Sequence, residues 1–233
     1  MRFRDKVVLI TGASGGIGQK LVAAFADEDA LIGAVYHEHQ VQFPAGVLSI
    51  KANLADPQDA ELAINACERE FGPVDILIHG AATTANNFVE QMTFEEWQRV
   101  LAVNLTSAFN VVKHVLPRMK ERKSGHIVNL SSIVGEVGAI GCANYAASKA
   151  GLVGFTRALA KEVCRDGIFV NALVLGYFNV GLGEKLPPKI REKITEMIPL
   201  GRFGDPAEIV KAVFFLAETN YMSGATLRLS GGL

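Results

Sequence analysis

Cysteine, tryptophan and an excess of either charge are what this sequence is short of. Its three cysteines, Cys67, Cys142 and Cys164, are odd in number and lack metal-ligand spacing. That argues against a closed disulfide framework and against a cysteine metal centre, and the thiols read as reduced. Cys142 lies close to Tyr145, where it is either a reactive thiol or a buried structural one, the commoner fate of cysteine. Lysine and arginine number 23 against 24 aspartates and glutamates, a formal net charge of −1. So even a balance gives no electrostatic case for nucleic acid or an anionic membrane as partner. No apolar run approaches the roughly 18 residues of a membrane span. The stretch after Met1 carries charges and glycines in place of the apolar core of a signal peptide, so a cytoplasmic protein is expected.

Apolar residues are plentiful, at 49% of the 233 residues with 20% charged, enough to bury the core of one generous domain. Val7-Val8-Leu9-Ile10 is a continuously apolar run, as expected of a parallel strand covered on both faces. Thr11-Gly12-Ala13-Ser14-Gly15-Gly16-Ile17-Gly18 follows, and then the helical pattern Leu21, Val22, Phe25. Strand, glycine turn and helix form the context in which glycines let a backbone approach a dinucleotide pyrophosphate at a helix N-terminus. The second strand, Leu31-Ile32-Gly33-Ala34-Val35, runs into Tyr36-His37-Glu38 with neither an acid nor an arginine at its tip. An acid there would hold a ribose 2′-hydroxyl and repel a 2′-phosphate, so its absence favours NADP, with His37 placed to contact the phosphate. Glu38 could equally reach a ribose across a bent loop.

The alternation continues. Val47–Ile50 reads as a third strand ending at Asn53, and Asp56-Pro57 as the cap of a helix ending near Phe71-Gly72-Pro73. Asp75–Ile78 is a fourth strand, leading into His79-Gly80-Ala81-Ala82, small residues suited to lying against a cofactor. His79 is either a proton-transfer group or a hydrogen-bonded structural histidine. Thr93-Phe94-Glu95-Glu96 has capping-box spacing and opens a long helical region to about Lys120. Asn104 sits inside it between Val103 and Leu105, a poor helix former among apolar neighbours and hence a candidate site residue. A fifth strand, Ile127–Leu130, delivers Ser131-Ser132 to its carboxyl end, the edge where open α/β sheets bind ligands. A helix from about Ala143 to Asp166 precedes a sixth strand, Ile168–Leu175, ending at Gly176. The mixed segment 179–199, containing Pro187-Pro188, is a candidate substrate lid. Asp205-Pro206 caps a last helix, and Ala225–Leu229 supplies a seventh strand. The expected fold is one doubly wound α/β domain over residues 1–233, with a mainly parallel seven-stranded sheet.

Tyr145 and Lys149 stand four residues apart on the helix after Ser132, so they share a face. A cation beside a phenol favours the phenolate and would bring the tyrosine pKa down from its usual value near 10.

The set Thr11 to Gly18, Asn104, Ser132 and Tyr145-x-x-x-Lys149 resembles the short-chain dehydrogenase/reductases over essentially the whole chain. The runs Asn144–Leu152 and Ser230-Gly231-Gly232-Leu233 are most similar to those of bacterial 3-oxoacyl-acyl-carrier-protein reductases. The resemblance implies an NAD(P)H-dependent ketone reductase, with a 3-oxoacyl thioester of acyl-carrier protein or CoA as substrate. It implies that Tyr145 is the general acid, that Ser132 binds the substrate carbonyl, and that Lys149 lowers the Tyr145 pKa and binds the nicotinamide ribose. It further implies that Asn104 holds a water linking Lys149 to solvent. Cofactor contacts are implied for Gly12, Ser14, Gly15, Gly16, Ile17, Gly18, His37, Asn53, Leu54, Gly80, Ala81, Asn104, Tyr145, Lys149, Gly176 and Phe178. Carrier-protein docking through Lys123 and Arg165 beside the site is implied too, although Asp166 departs from the basic pattern. A homotetramer built on the helices around Asn104 and Tyr145 is a further implication, for which Val111, Val112, Val115, Leu152 and Phe155 serve equally as interface or core. Departures fall on the cofactor side: His79-Gly80-Ala81-Ala82 replaces Asn-Asn-Ala-Gly, Leu175 replaces proline, and Val180 replaces a threonine for which Asn179 could stand in. Two other functions stay open: action on a different ketone or secondary alcohol, and a cofactor-binding regulator without turnover.

Overall fold

Branched apolar runs too short for helices become strands, and each is followed by a helix that must cover the face it leaves bare. The computed structural model describes residues 1–181, 183–184 and 186–233, and has seven strands: β1 Val7–Thr11, β2 Leu31–Tyr36, β3 Leu48–Lys51, β4 Ile76–His79, β5 Gly125–Ser132, β6 Ile168–Leu175 and β7 Thr226–Leu229. They form one sheet in the order β3-β2-β1-β4-β5-β6-β7, with every neighbouring pair parallel. Winding runs outward from β1 to β3, then restarts at β4 on the other side of β1. The switch point lies between β1 and β4, where Thr11 stands in register with His79. That crevice, outside the carboxyl ends, is where doubly wound sheets bind ligands.

Alternation along β1 sorts the interior into two layers. Val8 and Ile10 face a cluster with Leu21 and Phe25 of α1 (Gly16–Ala26) and Val213 and Phe214 of α8 (Pro206–Glu218). Val7 and Leu9 face Ile64 and Cys67 of α2 (Pro57–Phe71) and Val111, Val115 and Met119 of α4 (Ser107–Arg122). Phe3, Phe25 and Phe214 close the first layer as a triangle of rings with centroids 4.8 Å apart. Val111, Val112, Val115 and Leu152 are thus core residues and are not available for an interface between subunits.

The expected caps form. Asp56 accepts from Gln58 and Asp59 N–H, and Thr93 and Asp205 each close a capping box with the glutamate three residues on. The long helix after Thr93 is less regular than its pattern suggests. α3 (Phe94–Leu101) passes through a π-turn, Ala102–Thr106, before α4, and the Ser107 N–H reaches back five residues to the Ala102 carbonyl. Phe94–Arg122 is also the one described helix long and apolar enough to cross a membrane, but Val100, Asn104, Val111 and Met119 of it are buried within the domain. β4 starts one residue later than expected because Asp75 works as a clamp: one carboxylate oxygen accepts the Val7 N–H and the other Arg122 Nη1. Two helices escape the sequence pattern, the single turn α5 (Val134–Val137) and α7 (Pro188–Met197), which uses Pro188 as its first residue. The long helix α6 (Ala143–Val163) ends three residues early, in a tight turn to Asp166.

Gly33 shows how closely the layers approach. A Cβ there would lie 2.6 Å from Cys67 Sγ and 2.9 Å from a Leu9 methyl. Gly33→Ala is expected to lower stability in denaturant unfolding by about 1–3 kcal/mol. Combining it with Cys67→Ala, which vacates the space, should recover most of that loss. Strict additivity of the two changes would show that the contact does not limit packing.

Candidate active site

Two glycine contacts bring the cofactor edge together. Gly12 follows β1 at φ 66°, where L side chains are strained, and a Cβ on it would sit 2.6 Å from the Gly80 carbonyl oxygen. Gly18 lies so close under the turn that a Cβ would be 2.3 Å from the Gly12 oxygen. α1 therefore starts directly on the loop, with Gly15 as a cap that has no side chain to satisfy the first N–H groups. Those free donors and the helix dipole suit an anion, and Ser14, Gly15, Gly16 and Ile17 remain at least partly accessible around them. Across the crevice, Gly80 and Ala81 N–H groups both donate to Thr11 Oγ1, at 3.1 and 3.2 Å.

The remaining cofactor candidates spread along this edge. Tyr36, buried, ends β2, while His37 and Glu38 beyond it are exposed and lie 3.9 Å apart. Asn53 turns the chain after β3, its N–H donating to Asp59 and its side chain accepting from Ala55 N–H. Leu54 is buried and its carbonyl accepts from Asn110 Nδ2 at 3.0 Å. Gly176 touches the chain after β7, where a Cβ would meet Ser230 Cα at 2.7 Å. The Phe178 ring is buried against Gly204, so only its backbone can meet a ligand. Val180 is buried too, and its methyl and the Gly181 backbone cover Gly16. Asn179 does not replace the absent threonine freely, because its carboxamide oxygen is held by Arg191. Arg191 also donates to the Gly183 carbonyl at 3.2 Å and lies 4.2 Å from the Phe203 ring centroid. Of the segment 179–199, Leu182 and Lys185 lie outside the described residues.

The four candidate catalytic residues converge from three elements. β5 places Ser132 at its carboxyl end, where its hydroxyl accepts the Val134 N–H at 3.2 Å and faces the Tyr145 phenol. Tyr145 lies in the first turn of α6, which Asn144 anchors by donating to the Ala85 carbonyl at 2.9 Å. One turn on, Lys149 is buried and donates to the Leu130 carbonyl at 2.8 Å, with its ammonium 5.7 Å from the Tyr145 ring centroid. Ser131 fixes the same turn by donating to the Lys149 carbonyl at 2.8 Å. Asn104, carried by the π-turn, is wholly buried. Its Oδ1 accepts the Thr83 N–H at 2.7 Å, and its Nδ2 donates to the Thr83 carbonyl and to Ser148 Oγ, both at 3.0 Å.

Two expectations change here. Tyr145 is not shifted down in the resting protein. Burial pushes its pKa up, and the Ser132 hydroxyl, not the lysine, is what pulls it back. Lys149 is turned toward the Leu130 carbonyl, and its own pKa falls to about 8 because burial penalises its charge. Asn104 has no spare amide donor for a water; only its backbone carbonyl or the second lone pair of Oδ1 is left.

Lys123 and Arg165 do not flank this site within one chain. Lys123 caps α4 just before β5, and Arg165 precedes β6, so both lie on the amino edge of a parallel sheet whose carboxyl edge carries Ser132. The eight residues of β5 separate the edges by roughly 25 Å. Asp166 is paired with Lys120 at 3.8 Å. Any docking role for these residues needs a site on another subunit.

Sequence reasoning placed Ser131 at the strand end without a partner and passed over Asn110, Asn144, Ser148 and Thr83. Asn110 and Asn144 carry the signal that exposed Asn104, an asparagine inside a helical pattern; the other three find their partners only across the fold. Cys142, half-buried with its thiol pKa raised by burial, is not a ready thiolate.

The charge on Lys149 carries a cost that a stability measurement can read. Its folded-state pKa near 8 lies below the ordinary 10.5, so between these values the unfolded chain binds more protons and stability rises with pH. Lys149→Met is therefore expected to stabilise the resting protein at pH 7 by on the order of 1–3 kcal/mol, with the gain shrinking toward pH 10. Equal or lower stability for the variant at pH 7 would contradict the burial argument.

A phenol, a hydroxyl and a buried ammonium thus lie together near the glycine-rich loop. A model of the short chain dehydrogenase family matches residues 6–191. A 3-oxoacyl-[acyl-carrier-protein] reductase of Vibrio cholerae is 39% identical over 241 residues, covering 100% of this chain and 99% of the relative. The Thermotoga maritima enzyme of the same name is 38% identical over 244 residues, again covering 100% and 99%. Nodulation protein G of Azospirillum brasilense is 36% identical, covering 98% of each chain. The chain belongs to the short-chain dehydrogenase family, as an oxidoreductase similar to the 3-oxoacyl-acyl-carrier-protein reductases.

Proposed function

We propose that this protein reduces a 3-oxoacyl thioester to the 3-hydroxyacyl thioester, with Tyr145 as the proton donor and NADPH as the reductant. One observation carries the reading: Tyr145, Ser132 and Lys149 meet at the carboxyl edge beside the switch point, and no carboxylate neutralises the lysine among the described residues. The nicotinamide, when bound, supplies the hydride. Gly12 and the N–H groups opening α1 would hold its pyrophosphate, and the unpaired Lys149 ammonium would take ribose hydroxyls. Both fit the chain as it stands, since side chains are excluded from the cradle at Gly12, Gly16 and Gly18.

The protein's own task is the carbonyl oxygen. Ser132 and Tyr145 are hydroxyl donors facing one another, so an oxygen between them accepts from both as negative charge grows on it. A phenol held above its ordinary pKa stays protonated through neutral pH and is ready to act as an acid. The phenolate it leaves gains from the positive charge on Lys149, and that gain arises only as the proton moves. The described residues of the segment 179–199, latched by Arg191, serve as a lid. We further propose a homotetramer through the faces of α4 and α6, where Phe109 is exposed and a Cβ on Gly154 would meet nothing within 4 Å.

The placement of Lys123 and Arg165 favours a second reading, in which the substrate is a ketone or thioester not presented by a carrier protein. Acetoacetyl-CoA, an acetoacetyl carrier protein and a panel of simple ketones separate the two. Measurable cofactor binding with no turnover on any of them would instead indicate a regulator. With acetoacetyl-CoA, Tyr145→Phe is expected to lower kcat by at least about 1,000-fold while NADPH binding stays within a few-fold of wild type. A variant with near-wild-type turnover would contradict the assignment. The lean to NADPH rests on the missing acid at the tip of β2, and kcat/KM is expected to be higher with NADPH than with NADH. A clear NADH preference would overturn it.

A further inference from the structure

His79 is wholly buried between the two halves of the site, and its hydrogen bonds leave it one protonation state. Thr11 Oγ1 already accepts the Gly80 and Ala81 N–H groups, so both of its lone pairs are used. Its single proton must then go to His79 Nδ1, 3.0 Å away, which makes Nδ1 an acceptor. The ring proton is left on Nε2, facing Ser107 Oγ at 3.3 Å. Ser107 can accept it, because its own hydroxyl proton is donated to the Val103 carbonyl. The same serine closes the π-turn through its N–H, and the ring also faces the Asn104 carbonyl. One chain of donors thus runs from the Gly80-Ala81 turn through Thr11, His79 and Ser107 to the π-turn carrying Asn104.

We infer that His79 is a positioning residue, locked as the neutral Nε2–H tautomer, that sets the distance between the Gly80-Ala81 cofactor turn and the π-turn holding Asn104. A proton added at Nδ1 would face an oxygen with no free lone pair, and the opposite tautomer would leave the Thr11 hydroxyl with three donors and no acceptor. The nearby charge is Lys149, which acts in the same direction: burial and that cation hold the imidazole pKa down at about 3. His79 is therefore no proton relay at neutral pH. Asn104 holds Thr83 and Ser148, so a shift of the π-turn is passed to α6, one residue from Lys149.

The consequence for turnover rests on the reductase reading; the tautomer does not. Long-range nitrogen–proton NMR of the full-length protein with labelled histidine reads the tautomer directly. A protonated Nε2 and an unprotonated Nδ1, unchanged from pH 5.5 to 8.5, are expected. An Nδ1–H tautomer, or titration within that range, overturns the inference. The kinetic arm uses His79→Asn, which keeps an acceptor for Thr11 but cannot reach Ser107, together with Ser107→Ala. With NADPH and acetoacetyl-CoA, each should lower kcat about 5- to 20-fold with cofactor Kd within threefold, and the double variant should be no worse than either single one. Both variants keeping kcat within twofold, or losses that multiply, would overturn the positioning role. Absence of turnover in the wild type would bear on the reductase reading alone, and the NMR result would still decide the tautomer.

Discussion

The site depends on an ammonium kept in the interior with a single carbonyl for a partner. A buried charge without a counter-ion is expensive, and proteins seldom retain one that only packs. Around Lys149 the described residues supply support and no neutralisation: Leu130 offers its carbonyl, Ser131 pins the lysine backbone, and Ser148, the preceding residue, accepts from Asn104. A lysine held this way is stabilised by whatever brings it hydroxyls or negative charge, whether a ribose or a phenolate next door. In the proposed mechanism the resting protein is thus poised toward its bound and reacting states.

That charge also explains how labour is divided over the sheet. The proposed cofactor side is shaped almost entirely by backbone, through glycines at Gly12, Gly16 and Gly18 and the paired N–H groups of Gly80 and Ala81. The proposed substrate side is shaped by side chains on the long elements β5 and α6, which carry Ser132, Tyr145 and Lys149. Buried polar links join the two, chiefly Thr11–His79–Ser107 and Thr83–Asn104–Ser148. The His79-Gly80-Ala81-Ala82 sequence departs from the family pattern at this joint, and the structure accommodates the histidine by fixing its tautomer.

Much of this was legible in the residues. Strand–glycine–helix order placed the cradle, the carboxyl end of a strand placed Ser132, and helical spacing put Tyr145 and Lys149 on one face. Asn104 stood out because asparagine does not belong among valine and leucine in a helix, although the π-turn that carries it has no signature in the chain. What could not be read was partner choice across the fold. Spacing of four residues says that a lysine and a tyrosine share a face, but not that the ammonium turns to the Leu130 carbonyl while burial and Ser132 decide the phenol's pKa. The valines of α4 were ambiguous between core and interface until neighbours were known. Lys123 and Arg165 are a different case: a parallel sheet already implies that residues preceding β5 and β6 lie on the edge away from Ser132 of the same chain.

In the proposed mechanism Lys149 keeps a charge near its tipping point so that Tyr145 can give up a proton. Titration of the Lys149 side chain by carbon-13 NMR, beside the pH profile of kcat/KM for acetoacetyl-CoA, tests it most directly, because that profile reports groups of the free enzyme. A Lys149 transition near pH 8, well below the ordinary 10.5, is expected, with activity falling through the same range. A lysine that titrates above pH 10, or activity that stays flat while Lys149 loses its proton, would contradict it.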